Sequence, residues 1–213
     1  KLVSSGAKVD IVDRDGRTIL FEVVHSEAVE PVQWVLGLGV PKDTLSTAGR
    51  NALHEAVSFG SLETVRLLVS QGMAVNSADN EGVTALHLAA TRGNVMIVKY
   101  LTENGADIQA KDKEGRLPIH LAAKGGHWGP CQLFILRGVD VNTADNQGFL
   151  PLHYATMSGQ QRTVRLLLGK GADFTAQTHD GESPLVIAKR LIAEDAASVG
   201  LTPNQVALQQ GRR

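Results

Sequence analysis

Apolar residues recur along this chain in short clusters separated by a constant step of 33 residues. One column reads Leu20, Leu53, Leu86, Ile119, Leu152 and Leu185; another, three residues later, reads Val23, Ala56, Ala89, Ala122, Ala155 and Ala188. A separation of three places both columns on one face of a short helix. Alanine in the second column lets neighbouring helices approach closely. A second apolar run follows within the unit, for example Val65, Leu67, Leu68 and Val69. Glycines punctuate the pattern in the same register. Gly16, Gly49, Gly82, Gly115, Gly148 and Gly181 fall in a turn tip, where a positive φ favours glycine. Gly60, Gly93, Gly126 and Gly159 end the first helix, and Gly39, Gly72, Gly105, Gly138 and Gly171 end the second. Pro31 and Pro130 share the position where the second helix begins, which suits a first-turn proline. The unit is therefore turn, helix, turn, helix, and an internal period of this length predicts a solenoid.

Composition narrows the function classes. The 213 residues carry 21 Lys+Arg against 22 Asp+Glu, a net charge of -1, which argues against a dedicated nucleic-acid binder. Aromatic residues make up only 4% of the chain, so small side chains supply much of the packing. Cys131 is the one cysteine; an internal disulfide and a four-cysteine zinc site are both excluded, and a reducing compartment, cytosol or nucleus, is expected. No apolar run approaches the length of a membrane span, and Lys1 to Asp10 lack the apolar stretch of a signal peptide.

Within this frame Thr84-Ala85-Leu86-His87-Leu88-Ala89-Ala90 closely resembles the signature of the ankyrin-repeat family. So do Asn51-Ala52-Leu53-His54, Leu117-Pro118-Ile119-His120 and Leu150-Pro151-Leu152-His153, while Asn104-Gly105-Ala106-Asp107 and Lys170-Gly171-Ala172-Asp173 are similar to its closing segment. The resemblance covers nearly the whole chain. It implies an all-α solenoid of stacked helix-turn-helix units with β-turn or hairpin tips. The register divides the chain into the tail of an incomplete preceding repeat (1–12), a degenerate first repeat (13–45), repeats at 46–78, 79–111, 112–144 and 145–177, and a divergent C-terminal capping repeat (178–213). The first repeat departs from the pattern with Leu20-Phe21 in place of Leu-His and with Glu27 in place of glycine. The last loses register after Ala188, where Leu191, Ile192, Ala193, Ala196 and Ala197 predict an extended first helix and Thr202-Pro203 a fresh helix start. Leu2 to Asp10 align with the end of a repeat whose start is missing, so the chain is expected to be a fragment of a longer one.

The repeated polar residues have structural readings. His54, His87, His120 and His153 stand 33 apart; the resemblance implies that they bond within and between turns, with Thr84 the partner of His87. His127 follows the helix-ending glycine, another structural place in the family. His25 and His179 are unshared and expected to face solvent. Asp13, Asp79, Asp112 and Asp145 each precede a tip glycine by three, but the twelfth position of a calcium loop would fall on Val24, Ala90, Ala123 and Thr156, so turn-bonding is the reading. Gly169-Lys170 has Val164 where a phosphate loop needs glycine, and Gly171 where it needs Ser or Thr. Cys131 lies in an apolar helix stretch and reads as a buried thiol. No catalytic constellation, cofactor site or metal site emerges.

The unrepeated positions are free to encode a partner. In the resembled family these are the turn tips and the exposed side of the first helix, which line a concave surface. Mapped here, that pattern selects Arg50, Phe59, Arg92, Arg116, Phe149, Tyr154 and Met157 as partner-binding residues, joined by Trp128 at the turn between the helices of the fourth repeat, with Phe149 expected to be exposed because its column is otherwise polar or small. The implied function is a monomeric, non-catalytic scaffold or adaptor module binding another protein, with neither nucleic acid nor membrane insertion involved. The alternative is a regulatory or targeting domain of a larger multidomain enzyme whose catalytic part lies elsewhere.

Overall fold

The computed structural model describes residues 8–26 and 28–198; Glu27, Leu2 and the helix start at Thr202-Pro203 lie outside the described residues. Eleven helices follow one another among them. They are α1 (Ile19–Val23), α2 (Glu30–Gly37), α3 (Ala52–Phe59), α4 (Leu62–Ser70), α5 (Ala85–Arg92), α6 (Val95–Glu103), α7 (Pro118–Lys124), α8 (Trp128–Leu136), α9 (Pro151–Met157), α10 (Gln161–Gly169) and α11 (Pro184–Ser198). The described residues contain no strand, and one β-bridge, Ala78 to Thr84, marks a turn tip. The odd-numbered helices form an inner layer and the even-numbered ones an outer layer. Neighbours in the inner layer pack more closely than neighbours in the outer layer, so the stack bends with the inner helices and tips on its concave side.

Four of the tips are built by an aspartate, and Ser46 and Thr178 take its place in the second and the last repeat. Asp79 Oδ1 accepts the backbone N–H groups of Glu81 and Val83, both at 2.9 Å, and Asp145 Oδ1 does the same for Gln147 (2.8 Å) and Phe149 (2.9 Å). The tip glycine closes the turn; Gly49 has φ +76, and a Cβ there would stand 2.8 Å from the backbone nitrogen of Asn80 in the next tip. Successive tips are tied to one another. The N–H groups of Asn80, Lys113, Asn146 and His179 donate to the carbonyls of Ala48, Glu81, Glu114 and Gln147, each at 2.9 Å.

The inner helices start at the position where the signature predicts. Asn51 and Thr84 cap α3 and α5 with their side chains, satisfying N–H groups that a helix start leaves unpaired. α7 and α9 open instead on Pro118 and Pro151, whose missing N–H removes one of the unpaired donors, behind Leu117 and Leu150, which have no side-chain acceptor. The leucine column is buried from Leu20 to Leu152, but Leu185 is 42% exposed and α11 buries Ile187 instead. The column faces the following repeat, and the described residues supply no such neighbour for α11. The extended helix expected beyond Ala188 is present, since α11 runs on to Ser198.

Candidate functional site

Four histidines underlie the concave face. The Nδ1 atoms of His54, His87, His120 and His153 accept the backbone N–H of Asn51, Thr84, Leu117 and Leu150 at 2.9–3.2 Å. Their Nε2–H groups donate to the carbonyls of Val83, Arg116, Thr143 and Glu182 at 3.0–3.2 Å. Both ring nitrogens are therefore used, and in His87, His120 and His153 the neutral ring is required because Nδ1 accepts; His54 Nδ1 also lies 2.7 Å from Asn51 Oδ1. Burial pulls the pKa of all four below the ordinary histidine value. Each ring joins one inner helix to the chain that follows it and holds the tip at a fixed height above the helix.

Above these rings the concave surface changes character along the stack. The column that opens with Glu22 and Glu55 continues as Leu88, Leu121 and Tyr154. All three of the latter are half-buried, with their outer edges in solvent. Tyr154 is held in place: its hydroxyl donates to Asp145 Oδ2 at 2.7 Å, and its ring stands edge-on to His120 with centroids 5.8 Å apart. Burial, with Asp145 as acceptor, pushes its hydroxyl pKa far above the ordinary range. Phe149 is half-buried rather than exposed. Its ring centroid lies 5.6 Å from that of His153 and 5.7 Å from that of Tyr154, so the tip aromatic leans back onto its own helix. Met157, one turn beyond Tyr154 on α9, is 48% exposed.

The arginines divide into two groups. Arg116 Nε donates to Asp112 Oδ2 at 2.7 Å and its Nη2 to Glu114 at 2.9 Å, and Arg50 reaches Asp79 of the next tip at 3.1 Å. Those cations serve the turns. Arg92 and Lys124 are exposed and form no ion pair among the described residues. The structure thus brings Arg116, Phe149, Tyr154 and Met157 to one region of the concave face, with Arg92 two repeats away from Phe149. Arg50 and Phe59 belong to the second repeat. Phe59 is 56% exposed on its outer edge, and the His25 ring stacks against it with centroids 3.9 Å apart. His25 consequently does not simply face solvent; it is half-buried, with Nε2 3.8 Å from Glu55.

Trp128 lies just past the turn between the helices of its repeat and off the concave face. It opens α8 in the outer layer, and the Arg162 guanidinium of α10 lies 3.9 Å from its ring centroid. Leu88 and Leu121 are the residues that the sequence reading missed. Their signal was the switch in one column from glutamate to leucine, a change visible only when the repeats are compared at that position.

Little on this surface is equipped for bond chemistry. The tip carboxylates are engaged as turn acceptors, and burial pushes the Cys131 thiol up to about 12. No group of three or more His, Cys, Asp and Glu side chains suited to holding a metal ion occurs among the described residues, and no helix among them is long and apolar enough to cross a membrane.

None of the curated proteins matches the chain. The family model for ankyrin repeats (3 copies) matches residues 23–112 and 109–178, which together span most of the eleven-helix stack. With its period, tips and histidine rungs in place, the chain belongs to the ankyrin-repeat family.

Proposed function

We propose that this chain is a non-catalytic scaffold or adaptor module of the cytosol or nucleus, holding a segment of a partner protein along the concave face of the third to fifth repeats. Ankyrin repeats generally mediate protein–protein interaction. The observation that carries the finer reading is the column of Leu88, Leu121 and Tyr154, half-buried apolar side chains on a face otherwise lined by polar tips. An extended segment crossing these repeats would rest apolar side chains on that column and on Phe149 and Met157. The unpaired cations Arg92 and Lys124 would meet carboxylates or carbonyls at its margin.

The test begins with a photoreactive residue at position 157 to crosslink and identify the partner, followed by calorimetric titration of variants. Met157→Glu and Arg92→Glu are exposed substitutions and leave the fold intact. Met157→Glu is expected to weaken binding at least about tenfold, and Arg92→Glu less, with an effect that shrinks at high salt. Unchanged affinity for both would move the site to the second repeat, around Arg50 and Phe59.

A further inference from the structure

α8 lacks the outward-facing charges that α4, α6 and α10 carry. At the outward-facing column of Arg66, Lys99 and Arg165, α8 has Gln132, and α2 likewise has the uncharged Gln33. At the column of Ser70, Glu103 and Gly169 α8 has Leu136; at the column of Glu63, Met96 and Arg162 it has Gly129. Gln132 is its one polar side chain, and it carries no charge. Trp128, Gln132 and Leu136 recur at a spacing of four, one above the other on the outer side. Leu136 is 73% exposed, the highest value of any large apolar residue described. Together with Val95 of α6 they wall a groove of about 550 Å³ whose lining includes Gly126 and Gly129. Gly129 allows the close approach of the two helices, since a Cβ there would stand 2.8 Å from Val95 Cγ2.

The charge on the three outer helices beside this groove is one-sided. On or capping α6, α8 and α10 the exposed charges are Lys99, Arg137, Arg162, Arg165 and Lys170 against Glu103 alone. Glu103 meets Lys99 at 3.9 Å and Arg137 at 3.8 Å. The aspartates of the next loops, Asp107, Asp140 and Asp173, are exposed, and each accepts the N–H two residues on. Arg162, Arg165 and Lys170 have no carboxylate partner among the described residues, and Arg162 lies over Trp128 instead. The chain as a whole carries -1, so this basic border is a local segregation of charge.

We propose that the α6–α8 groove is a second interaction surface, distinct from the concave face, that takes an acidic amphipathic helix of a partner protein. A large apolar side chain of the partner enters between Val95 and Leu136 and packs beside Trp128. Carboxylates on its flanks meet Arg162, which lies over Trp128, and Arg137, which follows Leu136. A slot with a glycine-lined wall fits a protruding side chain, whereas a bilayer presents no protrusion to fill it. An apolar groove walled by Trp128, Val95 and Leu136 and bordered by arginines has the composition of a helix-in-groove interface, with apolar anchors inside and charged margins outside.

Trp128 supplies the reporter once Trp34, the other tryptophan, is replaced by phenylalanine. The probes are a helical peptide of about 16 residues with Leu on one face, Glu on the other and one central Phe, its Lys-for-Glu counterpart, and phosphatidylcholine vesicles with about a fifth phosphatidylserine. The acidic peptide is expected to shift Trp128 emission to the blue and protect it from acrylamide. Leu136→Glu and Arg162→Glu should each weaken that binding by at least about tenfold, while Met157→Glu on the concave side leaves it unchanged. Both outer-face substitutions are exposed, and circular dichroism verifies their folding. Absence of saturation by the acidic peptide below about 1 mM, equal binding of the Lys counterpart, or loss of binding in Met157→Glu would overturn the proposal. Preferential binding to the vesicles would replace it with a lipid surface.

Discussion

The buried histidines make the stack a pH-sensitive object at the scale of single side chains. His87, His120 and His153 must be neutral to accept a backbone N–H at Nδ1, and all four rings have a folded-state pKa below the ordinary value of 6.5. A depressed histidine pKa means that the unfolded chain takes up protons first as pH falls. The stabilisation is complete above about 6.5 and is lost below it, down through the folded values. Urea midpoints measured from pH 7.5 to 5 should therefore fall steadily, and His120→Gln should flatten the slope. An unchanged midpoint across that range would contradict the neutral-ring assignment. Leu86 and Lys111 give a second residue-scale contrast. Leu86 is buried in the middle of the stack and Lys111 is exposed at a repeat junction. Leu86→Ala should cost about 2–5 kcal/mol in chemical denaturation, and Lys111→Ala under about 0.5 kcal/mol.

Helix starts carry the corresponding test at the scale of elements. Thr84 Oγ1 lies 2.9 Å from His87 Nδ1 and caps α5, whereas Thr18, in the same repeat position, makes no cap bond and leaves its hydroxyl buried without a partner. Thr84→Ala should cost about 1 kcal/mol. Thr18→Val removes an unsatisfied hydroxyl, and its thermal midpoint should stay level or rise. The elements themselves were legible because each is short, bounded by glycine and repeated in register; even the long α11 showed in its alanines and leucines. The charge pairing was not. Arg50 meets Asp79 at 3.1 Å, 29 residues away, and such a tip-to-tip pair follows from the stacking height, which no spacing rule contains. Phe149 was expected to stand free because its column is polar. The Tyr154 ring one turn away was the neighbour that its own column could not reveal. Trp128 was placeable: it follows Gly126, which ends the inner helix, and so belongs to the outer layer.

Stability in the whole molecule is a sum over neighbouring repeats. α1 has five residues, lacks a side-chain cap and packs more loosely on α3 than any other inner pair does. The N-terminal edge should therefore open first. Amide exchange is expected to be slowest in α5 and α7 and fastest, among the described helices, in α1 and α2. Slowest exchange in residues 8–40 would show that this edge is held by contacts outside the described stack.

The bonds between successive tips have a mechanical consequence. They form a continuous line along one edge, each at 2.9 Å from Asn80 to His179, and each links only adjacent repeats. Tension applied at the two ends loads this line in series, so the weakest link yields while the remainder stays intact. Drawn in an optical trap, the molecule should lengthen in a staircase rather than by one rupture. Each released repeat should add roughly 100 Å of contour, beginning at the α1–α3 junction. The molecule would then behave as a spring at low load and as a paying-out tether at high load, reversible as long as two bonded tips remain to re-nucleate the line.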